Sequence, residues 1–107
     1  SLGFLSERVE YTDKNGIQKV NLIAKRGPGT GGIMYSAHTD VVPTDDWIPN
    51  AAAAFNPKIE SGRLYGRGAC DMKGSLAAAI TAAEQIDALK QVRPIYFCIS
   101  ADEELAM

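Results

Sequence analysis

DMKGSLAAAITAAEQIDALK, residues 71–90, is the stretch that decides the fold. Its apolar side chains recur at helical spacing: Leu76, Ala79, Ile80, Ala83 and Ile86. This spacing predicts one amphipathic helix over residues 71–90, with an alanine-rich face that can lie close to a sheet. The run RPIYFCIS at residues 93–100 follows it and predicts a buried strand.

Three strands are predicted at the start of the chain. Residues 7–13 alternate loosely between polar and apolar side chains, and the runs IQKVNLIAK (17–25) and IMYSA (33–37) are rich in strand-forming residues. Asn15-Gly16 is a favoured pair for a tight hairpin turn because both positions tolerate positive φ. The N-terminal part of the chain is therefore predicted to start with a hairpin.

A long stretch without regular pattern runs from His38 to about Lys58 and contains three prolines. Long loops in compact domains are usually functional. After it, KIESGRLYGRG at residues 58–68 predicts a second hairpin, which turns at Ser61-Gly62. Strands, a helix and a last strand in this order predict an α/β fold with a mixed β-sheet and packed helices.

The composition argues against several kinds of partner. The chain has 107 residues, 46% of them apolar and 22% charged, as in ordinary soluble globular proteins. Eleven basic and thirteen acidic residues give a net charge of −2, whereas nucleic acids and anionic membranes favour basic surfaces. No apolar run approaches the roughly 18 residues that span a bilayer. We therefore expect no nucleic-acid or membrane partner.

The two cysteines, Cys70 and Cys98, form no C-x-x-C motif. This spacing argues against a zinc finger or a redox motif. Two reduced, partly buried thiols in a cytosolic protein are the expectation.

Polar side chains follow three separate segments of the predicted fold. His38, the only histidine, comes directly after an apolar strand, and Asp40 lies two residues on. Asp71 stands between the second hairpin and the helix, and Glu103 and Glu104 follow the last strand. Because ligands of open α/β sheets bind at the carboxyl ends of strands, these side chains are candidates for one site.

The chemistry of this candidate site suits a divalent metal. Imidazole nitrogen and carboxylate oxygen are ligands for zinc, cobalt or manganese, and a carboxylate can bridge two ions roughly 3.5–4 Å apart. Residues i and i+2 of an extended segment point to the same side, so Asp40 can accept the second ring N–H of His38 and orient it. Glu103 and Glu104 are adjacent and point differently, so one can bind metal while the other faces the substrate.

Each candidate also has a structural alternative. His38 can be a hydrogen-bonded structural residue, and Asp40 can form an Asx-turn in its own loop. Asp71 can be the N-cap of the helix, and two adjacent glutamates can simply be solvated. A non-catalytic α/β binding module, or a module that binds anions at the helix start near Gly74, therefore remains open.

Three motifs resemble those of the M20 metallopeptidases, a family that includes acetylornithine deacetylases, succinyl-diaminopimelate desuccinylases, aminoacylases and glutamate carboxypeptidases. The motifs are AHTDVVP (37–43), W…F.P.I..GRLYGRGACDMKG (47–74) and SADEE (100–104). The resemblance runs from about Asn21 to the end of the chain. Residues 66–85 are most similar to desuccinylases, whereas VPTDDW (42–47) and RPIYFCISADEELAM (93–107) are more similar to acetylornithine deacetylases.

The resemblance implies a role for each candidate residue. His38 would bind one metal ion, Asp71 would bridge two, and Glu104 would bind the second. Glu103 would be the general base, and Asp40 would orient His38. The implied cofactors are two divalent ions, zinc first, with cobalt or manganese as alternatives. The family typically has a cis peptide bond after the residue that matches Asp71.

The implied reaction is metal-dependent hydrolysis of the amide bond of a small N-acyl amino acid. Deacetylation of N-acetylornithine in arginine biosynthesis is the first expectation. A desuccinylase, an aminoacylase or a carboxypeptidase of the same family is the alternative. The resemblance further implies a cytoplasmic enzyme that is a homodimer at full length.

The resemblance also implies a partial domain. Residues 1–107 would be the N-terminal part of one zinc-exopeptidase-like catalytic domain, without the remaining catalytic residues and the dimerisation domain. Each metal would then have two protein ligands here, so the isolated chain is expected to be inactive. Between Trp47 and Phe55 the sequence IPNAAAA departs from the family pattern, because it is longer and has no proline before Phe55.

Overall fold

The computed structural model describes residues 2–104. Residue 1 and residues 105–107, which end the stretch RPIYFCISADEELAM, lie outside the described residues. The regular elements are the strands β1 (Leu5–Thr12), β2 (Gln18–Arg26), β3 (Ile33–His38), β4 (Lys58–Glu60), β5 (Arg63–Tyr65) and β6 (Ile95–Ser100), and the helix α1 (Gly74–Glu84). A short 3-10 helix, Ala51–Phe55, lies within the long loop, and a distorted helical turn, Ala69–Lys73, precedes α1.

The main sheet has the strand order β1-β2-β6-β3. β1 pairs with β2 and β2 with β6 in antiparallel fashion, whereas β3 and β6 are parallel. The predicted α/β fold with a mixed sheet is confirmed. Because β3 and β6 run in the same direction, their carboxyl ends meet at one edge, where His38 lies opposite Ser100.

The core lies between α1 and one face of the main sheet. Its buried members are three alanines, one leucine and one phenylalanine: Ala24, Ala37, Ala83, Leu76 and Phe97. Phe4 packs edge-on against Phe97, with ring centroids 5.3 Å apart, and extends this core toward the N-terminus. This packing fixes the start of α1 near the carboxyl ends of β3 and β6.

The helix is shorter than the predicted span of residues 71–90. At its beginning, Asp71 and Met72 have non-helical backbone angles, so α1 begins at Gly74. At its end, the Asp87 carboxylate accepts the N–H of Leu89 at 3.0 Å and starts a separate turn. Short acidic side chains compete with the helix for backbone groups in this way.

The predicted apolar face of the helix is only partly correct. Leu76 and Ala83 are buried, and Ala79 packs against the core. Ile80 is 36% exposed, and Ile86, 43% exposed, lies beyond the end of the helix. Arg26 is buried instead, and its guanidinium donates to the Ala83 carbonyl at 2.8 Å, so it caps the last turn.

Of the two predicted hairpin turns, the second has the predicted form and the first does not. At Ser61-Gly62 both residues have positive φ, +51° and +74°, as predicted for a two-residue turn. In the first hairpin the N–H of Asp13 donates to the Ile17 carbonyl at 2.9 Å, so the loop has three residues, 14–16, of which only Gly16 has positive φ. Asp13 is the reason, because its carboxylate accepts the N–H groups of Asn15 and Ile17 at 2.8 and 2.9 Å.

Both cysteines are free thiols, as expected. Cys70 is exposed, however, so the prediction that both are partly buried is wrong for this residue. It belongs to the turn 69–73, which lies at the surface beside the candidate site. Within residues 2–104, no helix combines the length and the apolar character needed to cross a membrane.

Candidate active site

His38 ends strand β3 and is 5% exposed. Its Nδ1 lies 3.2 Å from the backbone carbonyl oxygen of Asp40 and 3.5 Å from Asp40 Oδ1. Its Nε2 lies 3.1 Å from Asp71 Oδ1. The imidazole is therefore held by Asp40 on one side and directed toward Asp71 on the other.

Asp40 joins the ends of two strands. Its Oδ1 accepts the backbone N–H of Glu103 at 3.1 Å, and its Oδ2 accepts that of Glu104 at 2.8 Å. These long-range contacts, rather than an Asx-turn, occupy the carboxylate. Burial raises the pKa of Asp40, but the hydrogen bonds from Glu103 and Glu104 outweigh it, and the net pKa is below the ordinary value.

Asp71 is not the helix N-cap that was one alternative for it. Lys73 occupies the cap position, and the Asp71 carboxylate instead contacts His38. The peptide bond between Asp71 and Met72 is cis, as the family resemblance implies. Lys73 Nζ donates to the Thr39 carbonyl at 2.6 Å, which ties this turn to the end of β3.

Glu103 and Glu104 reach the same place from the end of β6. Among residues 2–104, the one group of three potential ligands with donor atoms within 4.8 Å of one another is His38, Glu103 and Glu104. Glu103 Oε2 lies 3.8 Å from His38 Nε2. Asp71 lies outside this group of three but lines a pocket together with Glu104. Asp71 and Glu103 thus both face Nε2 of the imidazole.

The surroundings of His38 raise its pKa. Burial opposes the charged form, but the hydrogen bond to Asp71 favours it. Contacts with Asp40 and the charge of Glu103 act in the same direction, and the net pKa is above the ordinary value. The site therefore attracts positive charge, either as a proton or as a cation.

The donor set fits a divalent cation. Both ring nitrogens of His38 face oxygen atoms, Nδ1 that of Asp40 and Nε2 that of Asp71. A neutral imidazole has a single N–H, so one of these two contacts needs a second proton or a cation. With the proton on Nδ1, the Nε2 lone pair and three nearby carboxylates form a nitrogen and oxygen set suited to zinc, cobalt or manganese.

Sequence reasoning missed three side chains that support the site. Lys73 holds the Thr39 carbonyl, Asn21 Oδ1 accepts the Ala101 N–H at 3.0 Å, and Lys19 Nζ lies 3.2 Å from Asp102 Oδ1. The only signal in the sequence was the polar character of Lys19 and Asn21 at alternate positions of a strand. Their partners are about 80 residues away along the chain, so pattern reasoning has no access to them.

The chain is similar to proteins of known family. Residues 34–107 match the family model for peptidase family M20/M25/M40. The chain is 39% identical over 109 residues to acetylornithine deacetylase of Proteus mirabilis (strain HI4320), and the match covers 100% of this chain and 27% of that protein. It is 41% identical over 105 residues to succinyl-diaminopimelate desuccinylase of Dechloromonas aromatica (strain RCB), with 96% of this chain and 26% of that protein covered.

A solved structure shares the fold. The crystal structure of human carnosine dipeptidase 1 superposes with a TM-score of 0.77 at 30% sequence identity, covering 98% of this chain and 24% of that one. The chain therefore spans about a quarter of the length of the relatives that it matches.

Proposed function

The chain belongs to peptidase family M20/M25/M40, and from this premise we propose that it carries part of the active site of a metal-dependent amidohydrolase. The substrate class would be small N-acyl amino acids, with N-acetylornithine first. One observation carries the proposal. His38, Asp71, Glu103 and Glu104 come from three separate segments and converge at the carboxyl ends of β3 and β6.

The proposed roles divide these residues into ligands and a proton carrier. His38, Asp71 and Glu104 would hold two divalent ions, with Asp71 between them. When bound, such ions polarise a carbonyl group and lower the pKa of water. Asp40 would keep the His38 Nδ1 proton in place, which leaves Nε2 free to act as a ligand.

Glu103 is the proposed general base. Its side chain is 61% exposed and lies next to the imidazole, so it can reach both a water molecule and a substrate. It would take a proton from the water that attacks the amide carbonyl. The C–N bond then breaks, and the same proton passes to the nitrogen of the leaving amine. A carboxylate and an amino acid are the products.

The acyl group is the finer part of the proposal. Acetylornithine deacetylation is favoured by the motifs VPTDDW and RPIYFCISADEELAM. Succinyl-diaminopimelate desuccinylation is the second candidate, because relatives of that name are 41% and 40% identical to this chain. Zinc as the metal, a cytoplasmic location and a homodimer belong to the same proposal.

The test uses the protein as its own gene encodes it. We expect close to two zinc ions per chain, measured by elemental analysis, and hydrolysis of N-acetylornithine that a chelator abolishes and zinc restores. Glu104→Ala should lower the metal content. Glu84→Ala is the matched control, because Glu84 is an exposed acid at the far end of α1.

Other results of these measurements would contradict parts of the proposal. Absence of metal in the wild-type protein, or unchanged metal content in Glu104→Ala, would favour a non-catalytic binding module. Faster hydrolysis of N-succinyl-diaminopimelate than of N-acetylornithine would replace the deacetylase by the desuccinylase. A metal-dependent deacetylase rate from residues 1–107 alone would contradict the expectation that this part is inactive by itself.

A further inference from the structure

We propose that Lys19 and Asn21 are positioning residues, which fix the acidic segment 101–104 so that Glu103 and Glu104 reach His38. The inference deepens the proposed function and rests on it. Both residues lie on strand β2, across the sheet from β3. Their side chains bind Asp102, Asp13 and the Ala101 N–H. They act on the backbone and on the neighbouring side chain that carry those ligands.

Asn21 continues the sheet where its backbone pairing stops. The register between β2 and β6 ends at Leu22 and Ile99. One residue further along β2, the side chain of Asn21 replaces the backbone as acceptor, and its Oδ1 takes the N–H of Ala101 at 3.0 Å. The chain beyond β6 is therefore held in line with the strand for an additional step.

Lys19 holds the next residue of the segment. Its Nζ lies 3.2 Å from Asp102 Oδ1 and 3.8 Å from Asp13 Oδ2. The side chains of Lys19 and Asp102 are 19% and 20% exposed, so this ion pair is largely shielded from water. The hydrogen bond to Asp102 raises the pKa of Lys19 above its ordinary value. Because Lys19 and Asn21 are two residues apart on a strand, both point to the same face.

The contacts together account for every residue of the segment 101–104. Asn21 binds the N–H of Ala101, Lys19 binds the side chain of Asp102, and Asp40 accepts the N–H groups of the last two residues. The carboxylates of those two residues make none of these contacts and are left for the site. Active sites need such support, because a displacement of about 1 Å can lower a rate by about a hundredfold.

Lys19 and Asn21 lie in a part of the chain that the family model does not match. The family model is matched from residue 34 onward, so β1 and β2 lie outside the matched residues. Strand β1 has no buried residue, and the buried residues of β2 are Ala24 and Arg26. The contacts of Lys19 and Asn21 with the acidic segment give the other end of β2 a role in the site.

The test compares substitutions within strand β2 of the protein as its gene encodes it. Asn21→Leu removes the acceptor at nearly the same size, and Asn21→Asp keeps an oxygen there. Lys19→Met removes the charge, and Lys19→Glu combined with Asp102→Lys restores the pair with reversed signs. Lys25→Met is the control, because Lys25 lies on the same strand but its Nζ binds the Gly29 carbonyl.

Amide hydrogen exchange in the metal-free protein is the first measurement. We expect the amides of Ala101, Glu103 and Glu104 to exchange at least about tenfold faster in Asn21→Leu and Lys19→Met. Amides in the β1–β2 ladder should keep their rates. The variants Asn21→Asp and the charge-reversed pair should recover most of the protection. Equal exchange in Lys19→Met, Asn21→Leu and Lys25→Met would overturn the inference.

Zinc affinity and steady-state kinetics are the second measurement. We expect about 10- to 100-fold weaker zinc binding in Asn21→Leu and Lys19→Met, as for other residues that orient metal ligands. With saturating zinc, kcat should fall more than KM rises. If the wild-type protein neither binds zinc nor hydrolyses the substrate, the proposed function fails, while the exchange data still decide whether the segment is positioned from β2.

Discussion

The end of β3 and the acidic segments around it differ in how firmly the chain holds them. The side chains of His38 and Asp40 are 7% and 11% exposed, whereas those of Asp71 and Glu103 are 74% and 61% exposed. The first pair is fixed by its own side-chain contacts. In the second pair the backbone is fixed by neighbours, while the carboxylates face the solvent.

This difference separates two requirements of a metal-dependent site. A histidine ligand must present one nitrogen in a fixed tautomer, and burial next to a hydrogen-bonded carboxylate achieves that. Carboxylates that exchange protons or meet a substrate must remain accessible. We therefore expect substitutions at Asp40 to affect stability and site geometry together. Substitutions at Glu103 or Asp71 should affect chemistry with little effect on folding.

The largest expected effect is on catalysis and concerns the exposed Glu103. Glu103→Gln removes the proposed general base but keeps the size and the backbone contact with Asp40. We expect kcat to fall by about a hundredfold to ten-thousandfold in the protein as its gene encodes it. Metal content and melting temperature should stay at wild-type values. A kcat within twofold of the wild type would remove Glu103 from the reaction.

The second largest effect is on stability and concerns the buried Asp40. Asp40→Ala leaves the N–H groups of Glu103 and Glu104 without their acceptor, so we expect a loss of about 2 kcal/mol in the free energy of unfolding. Denaturant unfolding of the metal-free protein measures it. Asp71→Ala is the comparison, and its exposed carboxylate should change stability by less than about 0.5 kcal/mol. Equal losses in the two variants would contradict the difference between the buried Asp40 and the exposed Asp71.

A smaller effect on stability is expected at Lys73, which joins the turn 69–73 to the end of β3. Lys73→Met removes the 2.6 Å hydrogen bond to the Thr39 carbonyl and should lower stability by about 1 kcal/mol. Thermal unfolding measures the change. Lys58→Met is the control, because Lys58 forms an exposed ion pair with Glu60, and such pairs contribute little. A loss no greater than in the control would show that the turn 69–73 is held by other contacts.

The smallest effect concerns Asp13, which resembles Asp40 in exposure but not in its partners. Both carboxylates accept two backbone N–H groups, yet the donors to Asp13 are local, at Asn15 and Ile17. These hydrogen bonds, that of Ile17 first, lower the pKa of Asp13. A lowered pKa in the folded state means that the stabilisation is present above the unfolded-state pKa of about 4 and is lost as the pH falls.

Asp13→Asn tests this local contribution. The amide keeps an acceptor for the turn but cannot titrate, so the variant should lose the charge-dependent stabilisation at neutral pH and converge with the wild type at low pH. The decline in stability below about pH 4 should therefore become shallower. Melting temperatures from pH 2 to pH 7 measure the difference. If the melting temperatures of the variant and the wild type fall equally below about pH 4, Asp13 contributes nothing to the pH dependence.

Much of the fold could be predicted because its signals are local. The apolar runs of β2, β3 and β6 and the turn at Ser61-Gly62 depend on side chains next to one another in the chain. The errors arose where a short acidic side chain accepts a hydrogen bond from a nearby backbone N–H group. Asp87 ended the helical pattern early, and Asp13 selected a three-residue loop instead of the two-residue turn. Hydrophobic spacing does not register such competition.

For the candidate site, the sequence by itself determined which residues are present and where each lies relative to a strand end. The order of apolar and polar residues places His38 at the end of β3, Asp71 before α1 and the acids after β6. Only the tertiary structure decided that β3 and β6 are parallel neighbours, which brings these ends together.

It also decided that Asp40 binds both glutamate amides and that β2 reaches the acidic segment through Lys19 and Asn21. Such contacts join residues 63 to 83 positions apart. They form only when the whole sheet assembles, because no local pattern specifies which distant backbone group a polar side chain will meet.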